Sequence, residues 1–434
     1  MDKITTVMHG ATWGLALLVA VSMLFTSCSK EQEDFFDESA SARMANTISK
    51  AKSILRNSEY GWEFEYYPDR DLSYGGLVYI VKFDSLDATV TCTLVPDSTV
   101  TSYYKITNDN GPVLTFDTYN PLMHYFATPS SSEYEAKDGD FEFVIDQMTD
   151  DEIVLYGKRT RNTMYLRKLK YSPEEYAAKT IANMDNFIQS VHGRMGTAEL
   201  NGTFNLNNKS LEIINGSDTT TCYFAFNDTG IRLYEPLELG GMKAQSFAFN
   251  AEANTLTCLD AGSESIVLQG VPHGDGFLSY SQCAGDYKLS YNKGKMDVMV
   301  SLVPHRIDGT YLLRGLSSEY ELVLNYDFNT GELFLAPQMI GVLDNKAVYF
   351  LTMDMATEDI WIGGECALKL VWNNDDAFTF TAANPDKYPC DSGILMKLYY
   401  SEDGQLTGDD VTETDWLTNQ KSYFLYFTSL TKNK

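Results

Sequence analysis

Trp62-Glu63-Phe64-Glu65-Tyr66 alternates aromatic and acidic residues with the period of two that a pleated strand imposes. Gly75-Gly76 then leads into Leu77-Val78-Tyr79-Ile80-Val81-Lys82-Phe83, and Thr89-Val90-Thr91-Cys92-Thr93-Leu94 follows at short range. Three such runs separated by turn residues read as neighbouring strands of an antiparallel meander. The second half carries the same signature. Gly285–Gly294 reads as strand then turn, with Val298–Val303 returning. Gly309–Leu313, Leu322–Tyr326 and Glu332–Leu335 continue the pattern around Asn329-Thr330-Gly331. The chain is therefore expected to be mainly β, in two β-rich parts that close as small barrels or sandwiches. No fixed-period repeat supports a propeller or solenoid.

Two segments break the alternation. Between Ser39 and Asn57, Met44, Ile48, Ala51, Ile54 and Leu55 recur at helical spacing, with Ser39 or Ser41 as N-cap. Ser172-Pro173-Glu174-Glu175 combines an N-cap, Pro at the first helical position and a capping-box Glu, ahead of a helix expected from Tyr176 to Val191. This second helix separates the two β-rich parts. The expected organisation is a leader over 1–27, a tether over 28–38, an N-terminal helix and β-rich domain over 39–171, and a connecting helix over 172–192. A second β-rich region over 193–434, divisible near 282, completes the chain.

The N-terminus reads as an address. Lys3 precedes an apolar run from Ala11 to Phe25, too short to span a bilayer comfortably, and Leu24-Phe25-Thr26-Ser27-Cys28 resembles a lipobox. Cleavage before Cys28 and diacylglycerol attachment would anchor the chain to outer-membrane lipid without a spanning helix. Lys30, Glu31, Glu33 and Asp34 follow in an acidic cluster. It reads as a solvated tether and also resembles the surface-export signal of Bacteroidetes lipoproteins.

Charge excludes several function classes. Lys and Arg number 33 against 60 Asp and Glu, a formal net charge of −27. Such a surface repels phosphate backbones and anionic lipid, so no nucleic-acid partner is expected. Beyond Cys28 there are six cysteines at wide, unpatterned spacing; the even count permits three disulfides, with buried free thiols as the alternative. His124, His192, His273 and His305 stand alone, without H-E-x-x-H, and no G-x-S-x-G elbow is present. No catalytic residue, metal site or cofactor is expected. Glu63 and Glu65 share one strand face and could in principle serve as an acid–nucleophile pair on a glycoside. The simpler expectation is a solvent face opposite Trp62, Phe64 and Tyr66.

The most distinctive local segment runs from Gly111 to Asn120 and on through His124-Tyr125-Phe126 to Pro129. Phe116, Asp117, Tyr119, Asn120, His124 and Tyr125 form the candidate ligand-binding group: the aromatic rings offer stacking surface, while Asp117 and Asn120 can hold loop amides. If buried, the same rings build a core.

Gly111–Asn120 with His124, Gly157-Lys158-Arg159-Thr160, Gly230–Pro236, and Tyr326-Asp327 with Gln338-Met339-Ile340-Gly341 resemble the Bacteroidetes lipoprotein family called domain of unknown function 4302. The resemblance extends along essentially the whole chain after the leader and implies no particular reaction. It does imply a setting beside SusC/SusD-like importer complexes. The expected function is a surface-exposed lipoprotein that binds ligand, or assists, in outer-membrane nutrient uptake. The rivals are a glycan hydrolase acting through a carboxylate pair near Glu63 or Asp117, and an adhesive or structural envelope protein.

Overall fold

The computed structural model describes residues 38–109, 111–130, 134–216, 218–317, 320–343, 345–373, 375–410 and 426–433. Cys28, Lys30, Glu31, Glu33 and Asp34 lie outside them. The first helix, α1, spans Ala40–Arg56 and opens with the Ala42 amide donating to Ser39 Oγ at 3.2 Å, the expected cap. Its last turns bury Ala51, Ile54 and Leu55, and Trp62 Nε1 donates to the Leu55 carbonyl at 2.8 Å.

Residues 62–168 close into an eight-stranded antiparallel barrel in which each strand pairs with its sequence neighbour, and Trp62–Tyr66 pairs with Thr163–Lys168 to seal it. A closed meander leaves no unpaired edge. Trp62, Phe64 and Tyr66 are fully buried, and Phe64 meets Phe143 edge-on at 5.0 Å between ring centres. Eight strands enclose just enough room for such side chains to fill the interior.

The second helix, α2, spans Pro173–Asp185, with Ser172 Oγ accepting from the Glu175 amide at 3.2 Å. It stops short of the expected Val191. Asn186 caps it, donating its amide to the Ala182 carbonyl and its Nδ2 to the same oxygen at 2.8 Å, and Ile188–Met195 is instead the first strand of a second eight-stranded barrel. The residues after Asn186 form a strand that buries Ile188, Val191 and Met195 without strict alternation, and its ladder to Val267–Pro272 shifts register between Val271 and Pro272.

A third eight-stranded barrel begins at Gly285–Tyr291, so the mainly β chain closes as three barrels. Its meander is interrupted twice. The stretch between Glu332–Leu335 and Leu368–Asn373, and that between Ala377–Ala382 and Ser429–Lys432, together build a separate five-stranded sheet around Lys346–Met353 and Ser392–Tyr400. All six cysteines after Cys28 are free thiols, five of them buried. No helix among the described residues is long and apolar enough to cross a membrane.

Candidate functional site

Two junctions involve the first barrel, and they differ in character. Against the second barrel it presents Glu63 and Glu65, which are 8% and 1% exposed rather than solvated. The strand that carries them is buried on both faces, because the second barrel covers the face that alternation alone assigns to water. Glu65 Oε2 lies 2.5 Å from Arg167 Nη1, and Glu65 Oε1 lies 2.9 Å from Arg232 Nη1 on the second barrel. Arg167 also reaches Glu63 Oε1 at 3.2 Å and Glu152 Oε2 at 3.1 Å. Tyr67 donates to Glu65 Oε1 at 3.0 Å, and both guanidinium groups lie over the Tyr165 ring, Arg167 at 4.5 Å and Arg232 at 4.4 Å from its centre. Burial pushes the Glu63 carboxyl up to about 7 against the pull of Arg167, with Glu65 and Asp228 adding repulsion.

Glycine makes this junction close. Gly75 has φ +61°, and a Cβ there would meet the Asn208 carbonyl oxygen at 2.3 Å; one on Gly76 would meet Ala225 Cβ at 2.5 Å. The Gly76 amide donates to Phe224 O at 2.9 Å across the seam. Lys209 sits beside it, donating from Nζ to the Tyr74 carbonyl at 3.3 Å, and burial pulls its ammonium down to about 8.

The junction with the third barrel is open. A cavity of about 560 Å³ lies there, walled on one side by Tyr119, Leu122, Tyr125 and Lys137 and on the other by His305, Arg306 and Asp308. Its volume falls within the range of small-molecule sites. Tyr125 donates its hydroxyl to Asp308 Oδ2 and so ties one wall to the other. Lys137 Nζ stands 5.7 Å from the centre of the Tyr125 ring. Arg306 uses Nε toward Asp308 Oδ2 at 3.5 Å and Thr310 Oγ1 at 3.4 Å. Burial and the neighbouring Arg306 hold the His305 imidazole below its usual value, so it is neutral near pH 7.

The candidate ligand-binding group divides between wall and support. Phe116 is wholly buried in the first barrel, 6.2 Å from Phe143 between ring centres. Asn120 is also buried: its Oδ1 accepts from the Leu122 and Met123 amides at 3.0 and 3.2 Å, while Nδ2 donates to Ser102 Oγ at 3.1 Å. That side chain shapes the loop carrying the wall. Asp117 pairs with Lys105 on the surface. His124 stacks on Phe141 at 4.7 Å and takes the Asn120 amide proton on Nδ1 at 3.1 Å; burial lowers its imidazole. Only Tyr119, 65% exposed, and Tyr125 reach the cavity. Lys137 and the His305–Asp308 turn complete it without any local sequence signal, since the turn lies more than 160 residues away along the chain. Among the described residues no group of three or more His, Cys, Asp or Glu side chains could hold a metal ion.

Residues 259–396 match a domain of unknown function (DUF4987). The Tyr326-Asp327 and Gln338–Gly341 motifs therefore fall in this second match, and the resemblance drawn from them does not carry the first family along the whole chain. No curated protein matches the chain. The cavity brings together side chains from both matched regions. Residues 32–251, just over half of the sequence, match the family described as Domain of unknown function (DUF4302), and the chain belongs to that family.

Proposed function

We propose that this protein is a non-enzymatic ligand-binding lipoprotein of an outer-membrane nutrient-uptake system. In this reading it is held at the cell surface by lipid on Cys28 and captures its ligand between the first and third barrels. The observation that carries the binding reading is the cavity flanked by Tyr119 and Tyr125, rings placed as stacking surfaces at the mouth of a volume suited to a small ligand. The carboxylates that a glycan hydrolase would draw on argue for binding instead. Glu63 and Glu65 are buried and share the Arg167 guanidinium, so neither is placed to meet a glycosidic oxygen. The acidic stretch after Cys28 supports export to the outer face, and an importer of the SusC/SusD type is the proposed partner.

The test has two arms. Cys28→Ala is expected to move the protein from the membrane fraction to the soluble fraction. A panel of soluble saccharides and peptides screened by calorimetry is expected to yield a ligand whose binding is lost in Tyr119→Ala. Release of reducing ends that disappears in Glu63→Gln would instead establish hydrolysis and sink the binding reading.

A further inference from the structure

Resting on the binding reading above, we infer that the cavity between the first and third barrels selects anionic saccharides, with Arg306 gripping the acidic group while Tyr119 stacks on a sugar ring. Charge contrast is the first observation. On a chain of net charge −27, the described residues of this cavity wall include Lys137 and Arg306 as well as the carboxylate of Asp308. That carboxylate is already engaged: Oδ2 takes the Tyr125 hydroxyl and faces Arg306 Nε, and Oδ1 accepts from Thr310 Oγ1 at 2.9 Å. It therefore acts as a support that orients the guanidinium rather than as a group offered to a ligand.

The geometry of Arg306 is the second observation. Its hydrogen bond and ion pair both run through Nε, which leaves the two terminal nitrogens without a partner among the described residues, on a side chain 43% exposed at the cavity wall. Two parallel N–H donors match the two oxygens of a carboxylate or the oxygens of a sulfate. The third observation is the neighbouring aromatic surface. Tyr119 and Tyr125 supply faces for the C–H side of a sugar ring, and Lys137, 5.7 Å from the Tyr125 ring centre, adds a second positive charge. A neutral saccharide would use the rings alone.

The mature protein titrated by calorimetry with three probes of equal length separates the alternatives: an oligogalacturonate, a sulfated galactan oligosaccharide and an uncharged galactan oligosaccharide. At least one charged probe is expected to bind tenfold or more tightly than the uncharged one in 0.15 M salt. Whichever charged probe leads identifies the anion as carboxylate or sulfate. Arg306→Gln is expected to erase the preference without lowering the melting temperature, and Arg306→Lys to restore part of it. Equal affinity for charged and uncharged probes, or a preference untouched by Arg306→Gln, would overturn the charge selection while leaving the binding reading intact. Failure of all three probes to bind would overturn this inference, and with a blank peptide panel the binding reading too.

Discussion

The first barrel meets its two neighbours with similar residue types and opposite results. Toward the second barrel, tyrosine, arginine and carboxylate groups are pressed together: Glu65 is 1% exposed and touches both Arg167 and Arg232. Toward the third barrel, Tyr125, Arg306 and Asp308 surround a cavity of about 560 Å³. The difference lies in the backbone. At Gly75 and Gly76 the backbones of the first two barrels come too close to admit a Cβ, whereas the loop shaped by Asn120 and the His305–Asp308 segment meet through the Tyr125–Asp308 hydrogen bond and leave the cavity beside it. Composition alone therefore does not separate a structural charge network from a binding site.

The largest effect expected from breaking the closed junction is that of Arg167→Met. It strips Glu63 and part of Glu65, both buried, of their counter-charge, and removing one partner of a buried pair costs about 3–5 kcal/mol. Urea denaturation should show that loss. A cost below about 1 kcal/mol would mean that water enters the junction and that the two interfaces are alike.

Next comes the pH dependence of the same junction. Glu63 has a folded value of about 7 against 4.5 for the free group, so the folded state holds that proton more tightly. Its contribution to stability is present in full below pH 4.5, falls as pH rises through 7, and is flat beyond. The total is on the order of 3 kcal/mol. Glu63→Gln should remove that slope, making the variant more stable than the parent at pH 8 relative to pH 4.5. Paired urea titrations at those two pH values measure it, and parallel slopes for parent and variant would refute it.

Gly76→Ala sharpens the comparison through packing alone. The new methyl would lie 2.5 Å from Ala225 Cβ and 2.8 Å from the Tyr67 ring, both held by the barrels themselves. Overpacking of this kind costs about 1–3 kcal/mol, visible as a lowered melting temperature.

Much of this architecture was legible in the residues. The meander strands follow from period-two alternation, and the start of the Pro173–Asp185 helix from Ser172, Pro173 and Glu175. Its end was not, because Asn186 can cap a helix or sit in a loop, and the apolar residues at Ile188, Val191 and Met195 keep the three- and four-residue spacing of a helix although they lie in a strand. Closure of the second barrel pairs Ile188–Met195 with Val267–Pro272 across some 80 residues, beyond what local patterning reports. The burial of Glu63 and Glu65 was hidden for a related reason: alternation marks two faces but cannot tell which of them a second barrel covers. In the candidate group, Phe116, Asn120 and His124 obeyed the core and loop chemistry of their types, and only Tyr119 and Tyr125 reached the cavity. Arg306 had no distinguishing neighbour in sequence, since its role depends on a contact made by the fold.

The smallest expected effect bears most directly on the open junction. Tyr119 is 65% exposed, its ring 5.5 Å from that of His124 and otherwise toward solvent at the cavity mouth. Tyr119→Ala is therefore expected to change stability by no more than about 0.5 kcal/mol, the usual range for an exposed site without a cap, network or strained backbone. Thermal melts of parent and variant at matched pH provide the check. A loss well beyond that range would show that the ring fastens the loop onto the barrel, as Asn120 does, and the cavity would then be a by-product of loop packing. A silent melt leaves an aromatic face of this size in water with no part in holding the fold, a hydration cost that ligand contact would relieve.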